Sequence, residues 1–275
     1  MQLTAIAWNL FHGRDFPPDP ALFTWRSRLL RISERGATHI QVNRSLVAEF
    51  VQALDAMSWD VALLQECPPR FAAPLAEACD AEAHRVLTSR NSLAPLRTLA
   101  ARINPDLIAS AEGGSNLTLV RRSGALGGIV ERREVAIHEG KPERRAMAFT
   151  RTGEGLCVAN LHATNDRPRL AVEDVLLAAE RATEWAGEAP LLFGGDLNLR
   201  PAESPEAFAR LRERFGLSGE TGPRAIDHLL SRGLEVSAPA KALEAEWREL
   251  RGPGGALRLS DHAPVEAGFS TPPSQ

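Results

Sequence analysis

Residues 3–8, Leu-Thr-Ala-Ile-Ala-Trp, alternate well enough for a short strand, and the cluster Pro17-Pro18-Asp19-Pro20 then imposes an irregular loop before an arginine-rich segment at 25–32. This loop is expected to border the functional site. Leu46, Val47, Phe50, Val51, Leu54 and Met57 follow helical spacing and stop just before Asp60-Val61-Ala62-Leu63-Leu64, a continuous apolar run of the kind buried on both faces of a sheet. Residues 70–103 read as a helical middle broken by Pro74 and Pro95, with Pro105 just beyond. Strand signals resume at 116–121, 128–137 and 145–151, and the turn Thr152-Gly153-Glu154-Gly155 joins the last of these to 156–162 as a hairpin. Residues 169–185 form a long amphipathic helix, and Pro190-Leu191-Leu192-Phe193 is another buried strand that delivers Gly194-Gly195-Asp196 to its end. A helix at 206–214 and strands at 225–230 and 264–269 complete the pattern, with no internal repeat.

At 275 residues the chain is long enough for one large α/β domain, read as residues 1–270 followed by a polar tail at 271–275. With 35 acidic and 32 basic residues the net charge is −3, so the global footprint of a tight nonspecific DNA binder is absent, although a local basic groove stays open. Lys141 and Lys241 are the only lysines, a bias typical of a GC-rich genome; arginine matters where it clusters near the site, since its planar fork grips phosphate oxygens in pairs. Cys67, Cys79 and Cys157 lack metal-ligand spacing and are odd in number, which argues for reduced thiols. No basic leader precedes the first strand and no apolar stretch is long enough to span a bilayer, so a cytoplasmic, monomeric protein without a membrane anchor is expected.

The chemistry concentrates where apolar runs end, at Asn9, Gln65-Glu66, Asn160-Leu161-His162, Gly195-Asp196-Leu197-Asn198 and Ser260-Asp261-His262. Glu66 closes the most hydrophobic strand of the first half, where a carboxylate is costly unless paired with a cation. Hard oxygen donors without supporting Cys or paired His point to Mg²⁺ or Mn²⁺ rather than zinc. Asp196 and Asn198 lie two apart on a strand or its extended exit, so both project to one side, and the preceding glycines permit close approach of backbone or ligand. His228, adjacent to Asp227, should face the opposite way and be structural.

The order and wording of IAWNL, DVALLQE, VANLHAT, LLFGGDLN, AIDHLL and SDHAPV resemble the endonuclease/exonuclease/phosphatase superfamily, which includes DNase I, AP endonucleases, neutral sphingomyelinases and inositol polyphosphate phosphatases. The resemblance spans nearly the whole chain. It implies two packed mixed β-sheets flanked by helices, a four-layer α/β sandwich. It also implies a metal held by Glu66 with Asn9 and Asp261, and a His262–Asp227 acid–base dyad in which the aspartate orients the imidazole. Asp196 and Asn198 would complete the catalytic set. His162 would either protonate the leaving oxygen or stabilise the phosphorane, and Asn116, Asn160 and Arg145 would help hold the phosphate. The activity so implied is in-line attack of water on a phosphodiester, with nucleic acid the leading substrate. The wording LQECP and the absence of Tyr depart from the AP endonucleases. A small or lipid-linked phosphoester is the alternative substrate, and a non-catalytic scaffold of the same fold is a further reading.

Overall fold

A computed structural model describes residues 2–88, 94–107, 114–139 and 144–271. Along the chain the strands are β1 (Gln2–Asn9), β2 (Glu34–Arg35), β3 (Ile40–Gln41), β4 (Val61–Cys67), β5 (Ala81–Leu87), β6 (Ser115–Arg121), β7 (Ile129–His138) and β8 (Arg145–Thr152). They continue as β9 (Cys157–His162), β10 (Leu191–Asp196), β11 (Asp227–Arg232), β12 (Glu235–Ala242), β13 (Glu249–Gly252), β14 (Gly255–Arg258) and β15 (Val265–Ser270). The helices are α1 (Trp25–Leu30), α2 (Val47–Ala56), α3 (Ala72–Ala78), α4 (Ala94–Ile103), α5 (Pro168–Ala186) and α6 (Pro205–Phe215).

Two sheets carry the architecture. One runs β12-β15-β1-β4-β6-β5 and the other β11-β10-β9-β8-β7, and each has a single parallel pair near its centre, β1 with β4 and β9 with β10. Strand alternation sorts the apolar residues into layers. Leu3, Ala5, Ala7, Val61 and Leu63 of the first sheet meet Val158, Leu192 and Leu229 of the second in the inter-sheet core. Ile6, Trp8, Ala62 and Leu64 face outward onto α2 and α3 through Phe50, Leu54 and Leu75. Phe149, Ala159, Leu161 and Phe193 face α5 and α6 through Val175, Ala182, Phe208 and Leu211. The result is the expected helix–sheet–sheet–helix sandwich. Both outer helices of the second sheet begin with proline in the first turn and end at a glycine with positive φ, Gly187 and Gly216, which fixes their lengths.

Two parts of the sequence pattern read differently from the structure. The segment taken as a helical middle contains β5, because Ala81 and Val86 are buried while Arg85 is exposed, and pairing along β6 overrides a weak intrinsic strand preference. The strand β12 went unread because Pro239 interrupts it; it is an edge strand with two register shifts, where a missing N–H donor is tolerated. The tail at 272–275 lies outside the described residues.

One polar bridge between the sheets gives a stability prediction. His84 on β5 is 7% exposed and its Nδ1 lies 2.9 Å from Thr150 Oγ1 on β8. Burial, aided by the Arg132 charge, pushes the imidazole down to about 4. A histidine with a depressed folded-state pKa takes up its proton on unfolding, so its contribution is complete above about 6.5 and is lost as pH falls toward 4. Asp15, raised to about 7 chiefly by burial, acts in the opposite sense, gaining a relative advantage as pH falls. The His84 effect is therefore read as a difference: the stability gap between wild type and His84→Gln should shrink by about 1–2 kcal/mol between pH 7 and pH 4 in urea titrations. A gap that stays constant across that range counts against the buried neutral imidazole.

Candidate active site

The register of the second sheet sets three site residues side by side. Asp196 at the end of β10 pairs with His162 on β9 and with Asp227 on β11. From the first sheet, the parity that buries Leu3, Ala5 and Ala7 between the sheets carries on to Asn9, whose Nδ2 donates to Asp196 Oδ2 at 3.0 Å. The loop before β15 enters at this same end, tied down by Ser260 Oγ donating to Asn9 O at 2.6 Å and by His262 N donating back to Ser260 Oγ. Trp8 Nε1 donates to His262 O at 3.0 Å, fixing the backbone beneath the imidazole.

Glu66 should point the wrong way. Val61, Leu63 and Gln65 face the second sheet, so plain alternation would send Glu66 toward the helices. Instead the β4–β6 register slips between Leu64 and Cys67, and Glu66 adopts φ 48°, which turns its carboxylate into the site. Phe11, His12, Asn198 and Ser260 also have positive φ, so five non-glycine residues around one cavity hold a left-handed backbone that costs on the order of 1–2 kcal/mol each. Gly195 contributes by absence, since a Cβ there would overlap Leu161 O and the Gln65 amide that closes the floor.

The resulting cavity, about 300 Å³, is lined by Asn9, Glu66, His162, Asp196, Asp261 and His262 together with Asn198 and a wall from the 11–14 segment. His262 Nδ1 donates to Asp227 Oδ2 at 2.8 Å, and its Nε2 looks toward Asp196 and Asp261, each 3.9 Å away. Burial alone would lower the imidazole pKa, but the Asp227 hydrogen bond and the charges of Asp227, Asp196 and Asp261 outweigh it and push it up to about 10. His162 goes the other way, held well below its usual value by complete burial and the neighbouring Arg145. Arg145 Nη1 donates to His162 Nδ1 at 3.2 Å, so the ring is neutral and presents Nε2–H toward Asp196 at 3.5 Å. Asp196 is raised by burial and by the Asp227 charge, and Glu66 is raised to about 7 by burial and by Asp261.

The structure places several of the expected residues away from the cavity. Asn160 and Asn116 do not line the cavity; they lie in a fully buried polar layer beneath it, Asn160 accepting from Gln65 Nε2 at 2.8 Å and Asn116 Nδ2 donating to Ala146 O at 2.9 Å. Arg145, 5% exposed, stands behind His162 and does not line the cavity. Asn9 lines the cavity, its Nδ2 donating to Asp196 while its oxygen accepts from Phe11 N at 2.9 Å with one of its two lone pairs. His228 faces outward as expected, its Nε2 3.0 Å from Leu199 O and its ring against Phe208. The sequence reading missed His12, whose Nε2 lies 3.2 Å from Glu66 Oε2, and Arg14 in the same wall. The only signal for either was their closeness to Asn9 in a loop expected to border the site.

Whether these residues suit a divalent cation is a question of donors and charge. Glu66 and Asp261 supply hard oxygens to one cavity, and the Asp261 charge adds to burial in raising the Glu66 carboxyl. A half-buried carboxylate aimed there by a strained backbone fits a Mg²⁺ or Mn²⁺ site. The compact trio Asp196, Asp227 and His262 also has metal-ligand spacing, but His262 Nδ1 is already committed to Asp227.

The sequence model of the Endonuclease/Exonuclease/phosphatase family matches residues 6–262. The chain belongs to this family. Its fold is shared with an endonuclease/exonuclease/phosphatase family protein from Bacteroides thetaiotaomicron, at 16% identity and TM-score 0.63 over 98% of this chain and 95% of that one. A mannosyl-6-phosphatase from the same species gives 17% identity and TM-score 0.63 over 98% and 99% of the two chains. TDP2 from Caenorhabditis elegans gives 15% identity and TM-score 0.58 over 98% and 74%. At these identities the likeness is one of fold. No curated protein sequence matches the chain. As in other members of the endonuclease/exonuclease/phosphatase family, the general activity is phosphoester hydrolysis. Among the described residues no helix is long and apolar enough to cross a membrane.

Proposed function

We propose that this chain is a divalent-metal-dependent phosphodiesterase working by in-line attack of water, with a nucleic-acid strand as the first substrate class, acting as a cytoplasmic monomer. The observation that carries this reading is the His262–Asp227 dyad facing Asp196 in the cavity that also holds Glu66 and Asp261. Glu66 and Asp261 would hold the cation, which supplies charge neutralisation at the phosphoryl oxygens. Asp196, between the two histidines, accepts a hydrogen bond from the attacking water. The surrounding carboxylates hold the His262 imidazole protonated in the metal-free cavity; with their charge offset by a cation at Glu66 and Asp261, Nε2 is free to take the water proton as the new P–O bond forms and the ester P–O bond breaks. Asp227 stabilises the imidazolium that results. His162, neutral and donating from Nε2, suits stabilisation of the phosphorane oxygen rather than proton delivery. Asn198, whose N–H is bonded to Asp196 Oδ1 and whose Nδ2 is held by Ala163 O, borders the same cavity as a further polar contact.

A second reading, a small or lipid-linked phosphoester, is favoured by the size of the cavity, which is at the lower end for small-molecule sites, and by the overall negative charge. Its fold likeness to a mannosyl-6-phosphatase supports this reading too. The scaffold reading loses support, since one cavity gathers His12, His162 and His262 with the carboxylates of Glu66, Asp196 and Asp261, and Asp227 backs His262. The deciding experiment pairs nicking of supercoiled plasmid with hydrolysis of bis(p-nitrophenyl) phosphate, each in Mg²⁺, Mn²⁺ and EDTA. Metal-dependent cleavage of both supports the polynucleotide reading, and of the small diester alone supports the second. Activity on neither overturns phosphodiester hydrolysis.

A further inference from the structure

Resting on the phosphodiesterase reading, we propose that Arg14 binds a second anionic group of the substrate, a phosphate carried next to the scissile ester. The cavity is otherwise acidic. Glu66, Asp196 and Asp261 line it, and among the described residues Arg14 is the one guanidinium in its wall. An arginine kept in such surroundings needs a reason, and its setting shows a built site rather than a stray surface charge.

The side chain is 17% exposed and is held from two sides. Its Nε donates to Asp106 Oδ1 at 3.2 Å, and its guanidinium lies 5.0 Å over the Phe11 ring. Asp106 is itself buried and fixed: Oδ2 accepts from Gln41 Nε2 at 2.6 Å, and its backbone N donates to Asn43 Oδ1 at 3.1 Å. Gln41 Nε2 also donates to Val42 O, so the support reaches back into β3 and the segment that follows it. The backbone of Arg14 is pinned as well, since Ser260 N donates to Arg14 O at 3.1 Å. Among the described residues the two terminal guanidinium nitrogens have no hydrogen-bond partner. A fork whose Nε is anchored by a buried carboxylate, with its other donors left for the cavity, is pre-organised for two parallel bonds to a phosphate.

The position also separates Arg14 from the chemistry. His162, Asp196 and Asn198 belong to the second sheet and serve the scissile phosphorus, whereas Arg14 stands on the first-sheet wall beyond the 3₁₀ turn Phe11–Gly13. The substrate class this selects is a phosphodiester bearing a further phosphate, either the flanking phosphate of a nucleotide or a phosphate on a sugar or polyol headgroup.

The test compares substrate pairs that differ by one phosphate. One pair is thymidine 5′-(p-nitrophenyl phosphate) and its 3′-phosphorylated form; the other is glycerophosphoinositol and glycerophosphoinositol 4-phosphate. In the metal-loaded wild type the phosphorylated member of at least one pair should have a kcat/KM about tenfold higher or more, the size of one charge-assisted hydrogen bond. The pair that shows it names the source. Arg14→Gln should bring that ratio close to one, and Arg14→Lys, which keeps the charge but loses the fork, should give an intermediate ratio. Because the readout is a ratio, general damage to the enzyme cancels, and melting curves of both variants check the fold. A wild type with no preference in either pair, or an Arg14→Gln variant that lowers both members equally, overturns the proposal while the phosphodiesterase reading stands. Failure of the wild type to cleave any of the four substrates with Mg²⁺ or Mn²⁺ while it cleaves plasmid or bis(p-nitrophenyl) phosphate overturns the proposal alone, and failure on all six overturns both.

Discussion

Replacing His262 with alanine is expected to lower kcat by about three orders of magnitude, within the range for removal of a positioned general base. The variant should still fold. The backbone of residue 262 is held by Trp8 Nε1 and Ser260 Oγ, neither of which depends on the imidazole, and the ring fills a cavity wall rather than the apolar core. The cost in stability is confined to Asp227, which loses its 2.8 Å partner and is left with two unbonded oxygens, for about 1–2 kcal/mol. Steady-state kinetics on the substrate found by the assays above, with melting curves on the same preparation, check both halves. Turnover within a few-fold of wild type would remove the dyad from the mechanism.

Glu66→Gln should separate stability from metal response. The carboxylate is half-buried and pushed up to about 7, so above that pH the metal-free protein carries an unfavourable charge; sign and size follow from a folded-state pKa raised above the unfolded one. In EDTA at pH 8 the amide variant should therefore unfold at a higher urea concentration, by about 1–3 kcal/mol, and the gap should close as pH falls toward 4.5. With Mn²⁺ added the order should reverse, because wild type gains binding free energy and the variant has lost a charged oxygen ligand. Its turnover should fall by about two orders of magnitude or more, as a share of the electrostatic stabilisation goes with the carboxylate. A melting temperature of wild type indifferent to Mg²⁺ and Mn²⁺ would count against the cation site.

Much of this site is readable because strands obey parity. Asn9, His162, Asp196 and Asp227 fall on the inward phase of strands whose apolar residues announce which face is buried. Glu66 stands out in the sequence as a carboxylate closing an apolar strand, but its aim is not readable: it sits on the wrong phase, and the bulge that re-aims it has no glycine to mark it. Asn160 and Asn116 fail in another way. Parity sends Asn160 inward, yet it lies one pleat deeper than His162, pairing with Gly194 rather than Asp196, and depth along a strand depends on where the partner strands end. His12 and Arg14 follow a turn whose path is set by Gly13 packing against Phe71 and Pro68, tertiary neighbours far away in sequence. A short edge strand such as β5 and a proline-containing one such as β12 are specified by their partners more than by their own residues.

The order in which the chain builds its two sheets has a biological consequence. The first sheet opens with β1 and closes with β15, which slots between β1 and β12 and brings Asp261 and His262 with it. A copy still on the ribosome, or released early, carries Glu66, His162, Asp196 and Asp227 but neither His262 nor the strand that seats it, and its β1 edge is open. On the proposed dyad, hydrolytic competence waits for this last strand, and chains truncated before β15 are expected to be inactive.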